Sequence, residues 1–235
     1  MAHFLPLAVN DLRNVLRDRM LAFAFCIPLV LILVSAWAIP WISASIYDLA
    51  PYHSLILTFI LLQIPVIFGF IPAFMLIDER DEDILSALRV VPVSPLSFVA
   101  LRLVSGAVIT FLYVVLAFLI LGGPGISLLL FLPCAFLFAL LAPIIALAIV
   151  GFSQNKVEAL AVFKGLDLVV LLPMVSFFVP SGWRYLFGVF PQFWTITAFD
   201  ELMRSGVLDA GAIGVGVVLH VVVIGYLFGR FVGGF

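Results

Sequence analysis

Six apolar runs, at residues 20–39, 54–77, 96–121, 126–152, 157–180 and 211–231, constrain this chain more than anything else in it. Each reaches the roughly 20 residues that a helix needs to cross the hydrocarbon core of a bilayer. The runs at 20–39, 54–77 and 126–152 contain no Asp, Glu, Lys or Arg. In hydrocarbon every backbone N–H and C=O must be satisfied within the protein, which leaves only helices and closed barrels. The runs lack the period-2 alternation of barrel strands. The expected fold is therefore an all-α integral membrane bundle of six transmembrane helices. Composition agrees: 66% of the 235 residues are hydrophobic and 10% are charged, against about 45–50% and about 25% in soluble domains. No repeat, low-complexity tract or linker divides the series, so residues 1–235 read as one transmembrane domain. The net charge of −2 and the lack of a basic patch give no sign of nucleic-acid binding.

The segments between the runs carry the rest of the pattern. Residues 4–19 place Leu5, Ala8, Leu12, Val15 and Leu16 on one stripe and Asp11, Arg13, Asn14, Arg17 and Asp18 on the other, as in a helix lying in the headgroup plane. Ala36-Trp37-Ala38 mimics a signal-peptidase site, but the run before it is longer than a signal peptide's and the segment before that is itself patterned, so the first span is expected to stay. Residues 40–53 read as a turn rich in interfacial aromatics, with Trp41, Tyr47 and Tyr52. Pro65, Gly69 and Pro72 predict a kinked second span. Gly122-Gly123-Pro124-Gly125 is a tight turn without the Lys-Ser/Thr of a phosphate loop. Residues 181–210, with Trp183, Tyr185, Phe187, Phe190, Phe193 and Trp194, are too short and polar to cross and predict one or two short helices dipping into the outer interface.

The densest charge lies between spans two and three. Asp78, Glu79, Arg80, Asp81, Glu82 and Asp83 are followed by Ile84, Leu85, Leu88 and Val91, which share one helical stripe with Arg89 between them. The acids suit the positive end of a helix, and Pro92 and Pro95 stop it. The segment predicts a short amphipathic helix over 78–91 that offers one apolar face at the membrane surface. An N-terminus inside puts Arg13, Arg17, Arg19, Arg80, Arg89, Arg102, Lys156 and Arg230 on the cytoplasmic side and only Arg184 and Arg204 outside, as the positive-inside rule demands. Both termini are then cytoplasmic, in a plasma membrane.

No catalytic residue can be named. His3, His53 and His220 are scattered over different elements, Cys26 and Cys134 lie inside apolar runs, and neither a metal site nor a nucleotide-binding motif is present. Only Lys164 and Asp167 place charge at depth within a span. Three residues apart, they share a helix face and read as a mutually neutralised pair, a pore-facing polar patch or a proton relay. Phe59, Phe68, Phe70 and Phe74 on the kinked second span are the candidate pathway lining.

The order of these elements resembles the ABC type-2 exporter permeases. The resemblance rests on the acid-rich stretch at 78–83, its leucines, and Pro92-Val93-Ser94-Pro95, with an in-plane helix before the first span and an aromatic element between spans five and six. Asn155-Lys156-Val157-Glu158-Ala159-Leu160-Ala161, Pro173, Phe178-Val179-Pro180 and Phe190-Pro191-Gln192-Phe193-Trp194 are similar to the fluoroquinolone-export permease branch. The resemblance implies that 78–91 is a coupling helix docked on a separate ATPase subunit, that 4–19 is an elbow helix, and that the outer helices are re-entrant. It also implies a second permease copy or a paralogue, and ATP and Mg held by the ATPase, with no cofactor in this chain. The expected function is the non-catalytic membrane subunit of an exporter of small amphipathic or drug-like compounds. A haem-maturation-type ABC permease and an ion-coupled carrier or channel are the alternatives.

Overall fold

A computed structural model describes residues 13–81, 95–122, 125–180 and 182–233. Every regular element among them is helical. In chain order they are α1 (Arg19–Ser45), α2 (His53–Asp81), α3 (Pro95–Leu121), α4 (Leu128–Phe152), α5 (Lys156–Leu171), α6 (Pro191–Ser205) and α7 (Ala210–Gly233). Three short 3-10 stretches, Ala50–Tyr52, Leu172–Phe178 and Trp183–Val189, connect them. Among the described residues six helices are long and apolar enough to cross a membrane: α1 to α5, with α5 continued by its 3-10 stretch, and α7. The chain is thus a multi-pass membrane protein.

The helix ends follow local chemistry. Residues 13–17 are helical, and Asp18 then breaks the run and caps α1 by accepting from the backbone N–H groups of Met20 and Leu21. The remainder of the expected in-plane helix lies outside the described residues. α1 runs through Pro40 to Ser45, into the first part of the expected turn at 40–53. A proline frees one carbonyl of the preceding turn, which membrane helices tolerate, so it need not end the element. α2 likewise passes Pro65 and Pro72 and continues to Asp81, four residues beyond the expected end at 77. Asp78, Glu79 and Arg80 therefore belong to the last turn of a membrane helix and not to the first turn of a separate one. The end of the fifth run winds into a 3-10 stretch, with Pro173 at its second residue.

The inner pair of the bundle is α2 and α4. Leu57, Leu61, Leu62, Ile64, Ala73 and Ile77 on α2 and Phe131, Cys134, Ala135, Phe138, Ala146 and Ile149 on α4 are fully enclosed. α3, α5 and α7 pack around them, whereas α1 buries only Leu21, Ala24, Pro28 and Ile32. Lipid is as apolar as leucine, so packing and not water exclusion holds such helices together, and small residues allow the closest approach. Gly69 is where that happens: a Cβ there would lie 2.7 Å from the Ala142 carbonyl oxygen and from Ile145 Cβ. Gly216 brings α7 against α4, but a Cβ there meets the movable Leu137 Cδ1 at 2.9 Å. Stacked Phe118 and Phe131, 3.8 Å apart, and the edge contacts of Phe131 and Phe138 with Phe199 tie α3, α4 and α6 together.

Gly69→Ala should therefore lower the thermal midpoint of the detergent-solubilised protein by the equivalent of about 1–3 kcal/mol, because the clash is with backbone. Gly216→Ala should cost clearly less, because a leucine methyl can turn away. An equal loss in the two melts would contradict this packing.

Candidate functional site

The last turn of α2 joins three other helices. An acid at a helix C-terminus meets the negative end of the macrodipole, so Asp78 and Glu79 need cations, and each finds one on a different helix. Glu79 takes a two-pronged bond from Arg102 of α3, with Nη1 to Oε2 at 2.5 Å and Nη2 to Oε1 at 2.8 Å. Asp78 pairs with Lys156 at the start of α5. Arg80 donates to the carbonyl oxygens of Ser153 at 2.9 Å and Val150 at 3.5 Å, where α4 ends. There a cation complements the exposed carbonyls of a helix terminus.

These contacts are not equal. The side chains of Asp78 and Lys156 are 33% and 51% exposed, so water screens that pair. Those of Glu79 and Arg102 are 15% and 3% exposed, and the Arg102 guanidinium also lies over the Phe98 ring at 4.6 Å. Leaving either ion without the other costs several kcal/mol, on the order of 3–5. The Glu79–Arg102 pair therefore fixes the geometry, and the outer contacts complete it.

The start of α5 has its own lock. Asn155 Oδ1 accepts from the Glu158 N–H, and the Glu158 carboxylate accepts from the Gln154 N–H and from Asn155 Nδ2. This is a variant of the capping box, in which Glu158 takes the N–H one residue before the cap, and it explains why Asn155 and Glu158 stand three apart in the Asn155-Lys156-Val157-Glu158 motif. Arg230 of α7 lies 4.7 Å over the Phe152 ring at the same end of the bundle. Asp81 ends α2; its side chain, with Glu82, Asp83, Ile84, Leu85, Leu88, Arg89 and Val91, lies outside the described residues.

A second region lies between α2 and α5. An apolar groove of about 430 Å³ is lined by Leu55, Ile56, Phe59, Leu171, Met174, Val175 and Phe178. Phe59 is 43% exposed in it. One turn further along α2, Gln63 Nε2 donates to Asp167 Oδ1 at 3.4 Å, which places a polar group one turn before Leu171 on α5. The expected Lys164–Asp167 pair does not form: Lys164 stands exposed, and among the described residues no ion pair joins the two. The acid is engaged by an amide from the neighbouring helix. Phe68, Phe70 and Phe74 lie apart from Phe59. They are buried within the bundle, Phe68 against Phe25 and Tyr113, and Phe70 against Phe74 and Phe163.

Sequence reasoning missed Arg102 as the partner of Glu79, and Met174 and Phe178 as groove walls. Arg102 carried one usable signal, as the lone charge inside the third run. The His, Cys, Asp and Glu side chains among the described residues form no group able to hold a metal ion.

The model of the Rv2686c-like fluoroquinolones export permease family matches residues 11–228. Two relatives are each 31% identical over 231 residues, covering 94% of this chain and 91% of the relative. They are the fluoroquinolones export permease proteins Rv2686c and MT2760, from Mycobacterium tuberculosis strains H37Rv and CDC 1551. No solved structure matches the chain.

A double-mutant cycle on Glu79→Gln and Arg102→Gln, read by thermal unfolding, should give single losses of about 3 kcal/mol or more and a double loss well below their sum. Additive losses would show that the pair does not hold α2 to α3. Asp78→Asn should cost under about 1 kcal/mol.

Proposed function

The chain belongs to the Rv2686c-like fluoroquinolone export permease family, and from that premise we propose that it is the membrane-spanning subunit of an ATP-driven exporter of amphipathic, fluoroquinolone-like compounds. The match over residues 11–228 carries this reading. It favours the drug-export branch over the haem-maturation one. The subunit does no covalent chemistry. A separate ABC ATPase binds ATP and Mg, and a second copy or a paralogue completes the path.

In this reading the segment from Asp78 to Val91 is the coupling element, and the site at the end of α2 is its root. Force applied to that segment enters α2 directly. It reaches α3 through Glu79 and Arg102, α4 through Arg80, and α5 through Asp78 and Lys156. A rigid junction of this kind converts a push into a tilt of several helices, as a loosely held loop would not. The excess of Lys and Arg at this end supports its placement in the cytoplasm.

The α2–α5 face supports the substrate class and the pairing. Its groove is apolar and leads towards Gln63, Asp167 and Lys164, an arrangement suited to a molecule with a flat apolar body and polar ends. Lys164, eight residues into α5, is exposed on a span, and an ionisable group facing hydrocarbon is costly. A second copy laid against this face would give it a wet or protein neighbour. Phe59 is then the pathway aromatic, while Phe68, Phe70 and Phe74 serve the bundle core.

The test is ATP hydrolysis by the complex with its cognate ATPase in lipid nanodiscs. A fluoroquinolone should stimulate the wild type. Leu85→Asp with Leu88→Asp should reduce the stimulation at least about tenfold, as expected when two apolar anchors of an interface become charged. Equal turnover would remove the coupling role. Gradient-driven flux of the drug into liposomes without the ATPase, abolished by Asp167→Asn, would replace the proposal with an ion-coupled carrier.

A further inference from the structure

At the other end of the bundle, where α2 begins, the structure holds a second polar site. A pocket of about 200 Å³ is lined by Ser176, Arg184, Thr197, Asp200 and Arg204, with apolar walls from Phe177, Val179 and Ile196. Its two cations are in different situations. Arg204 Nε donates to Asp200 Oδ1 at 2.9 Å, and Ser54 Oγ donates to the same oxygen at 2.8 Å, which ties α6 to the start of α2. The charge of Asp200 is thus already engaged. Arg184 has far less. Its Nη2 reaches Thr197 Oγ1 at a long 3.5 Å, its Nε is buried without an acceptor, and no carboxylate among the described residues pairs with it. The guanidinium leans on the Tyr185 ring at 5.7 Å.

A guanidinium is a fork of five N–H donors with a fixed charge, and a buried donor with no acceptor is costly. Two arginines and one aspartate leave the pocket with one net positive charge. The missing component is an anion with at least two acceptor oxygens, the geometry that an arginine fork matches. The depth is set by neighbours on the same 3-10 stretch. Trp183, Tyr185 and Leu186 are exposed beside Arg184. Trp37, Trp41, Tyr47 and Tyr52 are also exposed near the α1–α2 connection at this end. Trp and Tyr settle at the headgroup level of a bilayer, where phosphates lie.

We propose that the Arg184 pocket is a phosphate-binding site at the membrane interface, with Arg184 as the binding residue and the Asp200–Arg204–Ser54 cluster as its frame. The ligand chemistry is a phosphate ester, carried by a lipid headgroup or by a soluble molecule. The proposal does not depend on what the protein exports.

The full chain in a neutral detergent is titrated with phosphatidylglycerol, with diacylglycerol and with glycerol 3-phosphate, and the thermal midpoint and the lipid retained in native mass spectra are recorded. Phosphatidylglycerol should raise the wild-type midpoint and diacylglycerol should not. Arg184→Gln should weaken the effect about tenfold or more, and Arg184→Lys several-fold, because a point charge replaces the fork. Protection by glycerol 3-phosphate at similar concentration, lost in Arg184→Gln, supports the site and assigns it to soluble phosphates; protection by the lipid alone assigns it to headgroups. An Arg184→Gln titration that overlays the wild type, or equal protection by diacylglycerol, overturns the proposal. If Arg184→Gln does not accumulate, Arg184→Lys decides, and an unchanged midpoint of binding overturns it.

Discussion

The contact between α2 and α4 at Gly69 is the constraint on which the rest of the bundle depends. Two helices rich in large side chains would normally stand 8–10 Å apart. Here one residue without a side chain lets the Ala142 carbonyl and Ile145 reach the opposite backbone. With that pair fixed, α3, α5 and α7 have a surface to pack on, and the phenylalanine ladder from Phe118 to Phe199 carries the arrangement across to α6. In lipid, where apolar surface gains little by leaving its solvent, this shape fit does what water exclusion does in a soluble core.

Charge then finishes what packing begins. Near the end of α2 the charged residues Asp78, Glu79 and Arg80 follow one another, and helical rotation of about 100° per residue points each towards a different neighbour. One helix end thereby becomes a junction of four. The arrangement follows from α2 continuing past the apolar run: had it stopped at Ile77, the acids would have hung in a loop with no fixed direction. At the other end Asp200 plays a comparable part with Ser54 and Arg204, but leaves Arg184 with charge to spare.

The architecture was legible because hydrophobic length is a property of the chain itself. All six runs correspond to helices, most within a few residues of the expected bounds. What was not legible depended on partners far away in sequence. The spacing of Lys164 and Asp167 reported that they share a face, but not that Gln63, 104 residues before Asp167, takes the acid. Glu79 and Arg102 lie 23 apart, one just past the second run and one inside the third, and no periodicity links them. The end of the first span lies further on than hydrophobic length places it, because Pro40 sits inside α1 and a membrane helix tolerates the one backbone bond that a proline removes. Phe59, Phe68, Phe70 and Phe74 share a helix, yet α2 is packed on several sides: Phe68, Phe70 and Phe74 are buried, whereas Phe59 is exposed among the described residues.

The 3-10 winding of Leu172–Phe178 has a geometric corollary for the groove beside it. Three residues per turn advance each side chain by about 120°, against about 100° in an α-helix, and rise about 2.0 Å in place of 1.5 Å. Over the six steps between seven residues the difference amounts to roughly a third of a revolution and about 3 Å of length. The set of side chains that Met174, Val175 and Phe178 present towards Phe59 is thus a function of pitch, like the teeth shown by a screw at a given thread. Rewinding this short piece would exchange one wall of the cleft for another.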